Sequence, residues 1–148
     1  MRYDTTKHNV NWVHYGDAKS YLERWTKTDQ DGVAKMKVMN NTTATLDPFS
    51  KRVYVTLHWT DIYQIERRHR VGDTYPHTVV TLNSGGHRTV TTKDRMNRFL
   101  PINYRVIQRD WHWYLQHKEY PFTMTAPNEA IWAETTFYDG MEIELPIA

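Results

Sequence analysis

The chain has 148 residues, with 19 Lys/Arg against 17 Asp/Glu, a formal charge of +2, 39% apolar and 14% aromatic residues; that length suits one domain with one ordinary core, and that composition excludes a disordered chain. The absence of Cys excludes disulfides, thiolate metal sites and cysteine nucleophiles. No apolar run reaches the roughly 18–20 residues of a membrane helix, and MRYDTTKHNV lacks the apolar core of a signal peptide, so a soluble protein without a membrane partner is expected.

In chain order, Asp17 is an N-cap type, and Ala18, Tyr21, Leu22 and Trp25 follow at i, i+3, i+4 and i+7, which predicts a short helix over 18–27. KTDQDG breaks it, and VAKMKVM (33–39) alternates apolar and basic residues as a half-buried strand does. NNTTATLDPFSK (40–51) reads as a polar connection with a turn at Asp47-Pro48. RVYVTLHWTDIYQIERRHR (52–70) is the longest β-like run: Val53, Val55, Leu57 and Trp59 share a face, and Ile62 falls out of phase, so a bulge or turn is expected near Thr60–Asp61. VGDTYP is a turn and HTVVTL (77–82) a strand.

Met96, Phe99 and Leu100 then fall on one helical face, with Thr91 or Thr92 as N-cap, Asp94 in the first turn and Pro101 as the stop. YRVIQRDWHWYLQ (104–116) reads as two strands around Arg109–Asp110 or one bent strand. Alternation assigns Trp111, Trp113 and Leu115 to the core and leaves Tyr104 and Tyr114 as exposed platforms. PFTMTAPNE is loop or edge, IWAETTFY is a strand, and Asp139-Gly140 ahead of MEIEL predicts a hairpin turn. The expected class is α+β: mainly antiparallel β-sheet with an N-terminal helix and a short helix near residues 91–100. A single domain, 1–148, is expected, with an N-terminal helix and strand over about 1–50 and a β-rich core over about 51–148.

Charge is unevenly placed. Residues 51–109 carry eleven Lys/Arg against four Asp/Glu, and residues 110–148 one against seven. Either the surface is bipolar, with a basic face for polyanions, or the tail strands pair with the basic ones and the charges cancel locally.

The stretch LNSGGHRTVTTKDRMNRFL (82–100) sets Asn83, Ser84, Gly85 and Gly86 just ahead of a helix whose free N–H groups point back toward them, a geometry that binds anions. Thr91 and Thr92 would donate, and Arg88, Lys93, Arg95 and Arg98 would add charge. It is neither a Walker A loop nor G-x-G-x-x-G, and a capped turn with two glycines at positive φ explains the same residues. Farther on, Tyr104, Trp111, Trp113 and Tyr114 interleave with Arg105 and Arg109, so Arg105 and Tyr114 join the candidate nucleic-acid contacts.

Two H-x-T triplets, His58-Trp59-Thr60 and His87-Arg88-Thr89, have the residue types of a two-histidine phosphodiesterase, in which each His moves one proton and each hydroxyl holds the phosphate. Their separation speaks against it, since that fold repeats a βαβ-type half between its triplets. His69 and His77 flank a turn, and His112 and His117 lie five apart, matching no ligand spacing. No metal and no cofactor is expected.

The run VYVTLHWTDIYQI … TVVTLNSGGHRTVTTKDRMNRFL … YRVIQRDWHWYL … FYDGMEI, over about residues 40–141, resembles a family of small tailed-bacteriophage proteins. Its members show a similar L-H-x-T-D-I strand, an L-N-S-G-G-x-R-T-x-T-T-K-x-R-x-N stretch and a D-G-M ending. His87 stands where that family usually carries an aromatic residue, a further point against the catalytic reading. The resemblance implies a source, the cytoplasm of an infected bacterium, and a role in genome handling, host takeover or evasion of host defence. The leading expectation is a non-enzymatic accessory protein that binds nucleic acid or a nucleotide phosphate. An inhibitor docking directly on a host defence protein and a phosphodiesterase using His58 and His87 are the alternatives.

Overall fold

A computed structural model describes residues 10–25, 32–69, 71–72, 74–119 and 131–145. Among them, two helices and nine strands form an α+β fold dominated by antiparallel sheet. Strands β1 (Ala34–Met39), β2 (Thr42–Asp47), β3 (Arg52–Leu57), β4 (Thr60–Arg68) and β5 (His77–Leu82) run as a meander, and the last strand, β9 (Met141–Leu145), adds beside β5 to complete six. Strands β6 (Tyr104–Arg109), β7 (His112–Glu119) and β8 (Ile131–Thr136) make a second sheet in that order. Helix α1 (Tyr15–Trp25) packs on β1 to β4, and α2 (Val90–Phe99) bridges β4 and β6.

The core follows from strand parity. Val53, Val55 and Leu57 of β3 face inward with Tyr63 and Ile65 of β4, Val80 and Leu82 of β5, and Met141 and Ile143 of β9, all buried. Ala18 and Leu22 of α1 and Met96 and Phe99 of α2 close over that face. Val106, Trp113 and Leu115 of the second sheet, and Phe137 just past β8, join the same apolar cluster. The phase slip at Ile62 is a bulge: Val55 pairs with Tyr63 and Thr56 with Asp61, so Ile62 is the extra residue and both it and Tyr63 are buried.

Several expectations are corrected. The segment 40–51 holds a strand, β2, whose inward Thr42, Ala44 and Leu46 alternate with half-buried Thr43, Thr45 and Asp47. The break expected near Thr60–Asp61 in the run 52–70 includes a turn slightly earlier, at His58–Trp59, which divides the run into two strands. Helix α1 begins at Tyr15, so Asp17 lies in its first turn, where its carboxylate accepts from the Val13 N–H at 2.9 Å. The N-cap of α2 is Thr89, whose hydroxyl accepts from the Thr92 N–H at 3.1 Å; Thr91 and Thr92 are helical, and Asp94 falls past the first turn. Asp139-Gly140 is no hairpin, because β8 and β9 belong to different sheets and the turn carries the chain from one to the other. PFTMTAPNE falls outside the described residues.

The tail acids pair locally with the basic strands. Arg68 bonds both Glu66 and, at 2.7 Å, Glu142; Glu66 also accepts from Arg52 at 2.8 Å, and Arg109 pairs with Glu134.

Candidate functional site

The β3–β4 turn and the segment that leads into α2 face one another across a cleft of about 550 Å3. Its walls include His58, Trp59 and Thr60 on one side and Ser84, His87, Thr89, Thr91 and Thr92 on the other. Both H-x-T triplets thus line one cavity despite their distance in sequence. Gly85 makes this approach feasible: a Cβ there would stand 2.7 Å from Thr60 Cγ2 and 3.0 Å from its hydroxyl. Its φ of +63 also favours glycine, so residue and position agree twice. At the other wall, the His58 N–H donates to the Asn41 carbonyl at 2.8 Å and fixes the tip of the hairpin against the β1–β2 turn.

Trp59 is 95% exposed on the cleft rim, where strand alternation assigned it to the core face. It is the second residue of the turn, so parity counted through β3 no longer applies. The first-turn N–H groups of Val90 and Thr91 have no acceptor among the described residues. The side chains of His58 and His87 have no hydrogen-bond partner there either, so no carboxylate orients either imidazole.

The SGG loop itself is filled by the protein's own anion. The Asp139 carboxylate accepts from the Ser84 N–H and the Ser84 hydroxyl, each at 2.7 Å. The remaining loop amides are also engaged: Gly85 N–H on Asn83 Oδ1, Gly86 N–H on the Ser84 hydroxyl, His87 N–H on the Ser84 carbonyl. Burial pushes the Asp139 carboxyl up, but the Ser84 donors and nearby Arg88 outweigh it and hold the group below its ordinary range.

The basic residues of the stretch do not gather on one concavity. The Arg88 guanidinium lies 5.2 Å from the Phe137 ring and 5.9 Å from that of Trp113. Arg95 bonds the Thr42 hydroxyl at 3.0 Å and Asp94 at 2.6 Å; Arg98 bonds the same carboxylate at 3.0 Å. Lys93 borders a separate shallow hollow with Gln108, Asp110 and Trp111. Of the candidate anion contacts, Ser84, Thr91 and Thr92 reach the cleft wall; Asn83, Gly85 and Gly86 shape the loop behind it.

Arg105 and Tyr114 lie elsewhere, on the outward face of the β6–β7–β8 sheet. Trp113 and Leu115 are core as expected, but Trp111 is 90% exposed at the β6–β7 turn. Tyr104 is also no exposed platform: it is half-buried against the core and stacked on His117 at 4.3 Å.

The family model described as Kyanoviridae Gp96 protein matches residues 27–144. The chain belongs to that family. It is a bacteriophage family, in line with the expected phage source, and the match spans α2, both cleft walls and the strands of both sheets as far as Glu144. No curated protein and no solved structure matches the chain. Among the described residues, no helix is long and apolar enough to cross a membrane, and no three His, Asp or Glu side chains gather as a metal site would require.

Proposed function

We propose that this phage protein binds a nucleotide-sized, phosphate-bearing ligand in the cleft between the His58–Thr60 turn and the N-terminus of α2, acting in the cytoplasm of the infected host. The observation that carries the reading is the meeting there of two histidines, the exposed Trp59 and the hydroxyls that precede and open α2. The cleft falls within the size range of small-molecule sites, about 300–1,000 Å3. Trp59 offers a stacking surface for a base, while Thr60, Thr91 and the unaccepted N–H groups of Val90 and Thr91 are donors for a phosphate. The loop amides first expected to cradle the phosphate serve the structure, Ser84 by holding Asp139 and the others by bonds within the loop, so the ligand position moves from the loop to the cleft in front of it.

Titration calorimetry with nucleoside mono- and diphosphates at low and high salt tests this. Binding is expected that weakens with salt and falls at least about tenfold in Trp59→Ala and in His58→Ala/His87→Ala, whose side chains sit on the surface. No heat with any nucleotide, or equal affinity in those variants, contradicts it.

A second reading has one observation in its favour: the triplets of a two-histidine phosphodiesterase line the same cleft. Against it stands the lack of an orienting partner for either imidazole among the described residues. Turnover of cyclic or short linear oligonucleotides, lost in both His58→Ala and His87→Ala, would select it; substrate left intact by the parent protein leaves binding alone.

A further inference from the structure

Strand register places Arg105, Arg109, His112, Tyr114, Lys118 and Trp132 on one face of the β6–β7–β8 sheet, opposite the face that buries Val106, Trp113 and Leu115. Arg105, Arg109 and His112 are exposed, and Tyr114, Lys118 and Trp132 half-buried. The cations do not stand away from the rings; they lie on them. The Arg105 guanidinium is 3.8 Å from the Trp132 ring centroid, Lys118 Nζ is 5.9 Å from the same ring, and the Arg109 guanidinium is 4.7 Å from the centroid of Tyr114. Arg105 uses only its Nε, on Gln116, leaving its two Nη groups without a protein partner among the described residues. Arg109 pairs with Glu134, the only carboxylate placed on this face by the register among the described residues.

The turn at the end of this face carries a second, independent oddity. Asp110 and Trp111 both have positive φ, 51 and 69, which makes a two-residue turn of the I′ type, where the second position is ordinarily Gly. Trp111 occupies it 90% exposed. Neither backbone preference nor burial accounts for a tryptophan there, and such a residue at the end of an aromatic and basic strip points to contact with a partner.

We infer that the outward face of the β6–β7–β8 sheet, ending at Trp111, is a binding track for single-stranded nucleic acid. Charge complementarity selects this occupant: three permanent cations stand against Glu134 on the face, with Asp110 at the tip. Guanidinium groups already held over aromatic rings offer stacking surfaces to unpaired bases, and N–H groups not spent on the protein reach the phosphates between. A six-residue strand runs about 20 Å, room for about four nucleotides. The bases of a duplex are stacked on each other and unavailable to such a surface. The track is separate from the cleft and does not rest on its ligand.

The test is fluorescence anisotropy of labelled single-stranded DNA and RNA homopolymers, about twelve nucleotides long, with the full chain. Salt-sensitive binding is expected, at least about tenfold tighter than to a duplex of equal length. Arg105→Ala/Arg109→Ala is expected to weaken it at least about tenfold with an unchanged circular dichroism spectrum. Trp111→Gly is expected to weaken binding while raising the unfolding midpoint, a combination that a merely structural tryptophan does not give. His58→Ala/His87→Ala in the cleft is expected to bind these strands within about twofold of the parent, which separates this face from the mononucleotide site. No binding at low salt, or full binding by the double Arg variant, overturns the inference. So does a dimer that the double Arg variant dissolves in a protein that ignores oligonucleotides, since the face would then belong to a second copy.

Discussion

At the residue scale, Gly85 and Asp139 hold the walls of the cleft in place. Gly85 and Gly86 both have positive φ, +63 and +81, yet only Gly85 has Thr60 against it; around Gly86 nothing lies within 4 Å. Gly86→Ala is therefore expected to cost about 1 kcal/mol, from backbone conformation alone, and Gly85→Ala at least about 2 kcal/mol, because the hairpin tip must also move. Urea midpoints of the two variants check this, and equal losses would refute the contact with Thr60. Asp139 gives the pH dependence. Its folded pKa lies below the ordinary value of 3.8, so between the two values the unfolded chain binds more protons and stability rises with pH. That contribution is complete above the ordinary value and is lost as pH falls through the lower, folded one. Asp139→Asn is expected to flatten the acid limb of a stability profile in that window; an unaltered limb would show that the Ser84 hydrogen bonds do not favour the charged form.

At the element scale, α2 depends on Thr89. Its hydroxyl accepts from the Thr92 N–H and lies 3.0 Å from the Thr92 hydroxyl, so Thr89→Ala is expected to cost about 1 kcal/mol in thermal or urea unfolding, whereas exposed Thr91→Ala stays within about 0.5 kcal/mol. Equal effects would move the cap back to the position read from the sequence. What the sequence disclosed follows the same lines. The helix near 91–100 was legible from Met96, Phe99 and Pro101, and the bulge from the phase slip at Ile62. Strand β2 was hidden because its inward residues include Thr42 and Ala44, which read as polar linker until they are buried. Parity put Trp59 on the face of Val53, Val55 and Leu57 and put Trp111 in the core, but each lies in a two-residue turn, where strand alternation lapses. Asp139-Gly140 was readable as a turn, not as a passage between sheets, since a turn dipeptide carries no information about the partner of the next strand. The meeting of the two triplets was illegible for the same reason: it depends on the β3–β4 turn and on the approach of Gly85 to Thr60.

At the scale of the whole molecule, one apolar cluster extends from α1 through the six-stranded sheet and α2 to Trp113 and Phe137 of the smaller sheet region. A shared core predicts one cooperative unfolding transition: near-ultraviolet and far-ultraviolet signals should coincide, and two separated transitions would mean that the sheets fold independently. The charge asymmetry of the sequence is moderated by the pairing of Arg68 with Glu142 and Arg109 with Glu134, which leaves local surfaces, not a bipolar whole, to recognise anions. The central claim is that the cleft beside α2 is the place where a nucleotide binds. Titration of the isotopically labelled protein with a nucleoside monophosphate, followed by amide nuclear magnetic resonance, addresses it directly. Saturable shifts concentrated at His58–Thr60 and Ser84–Thr92 are predicted; a spectrum that does not change, or shifts that cluster away from both cleft walls, would contradict it.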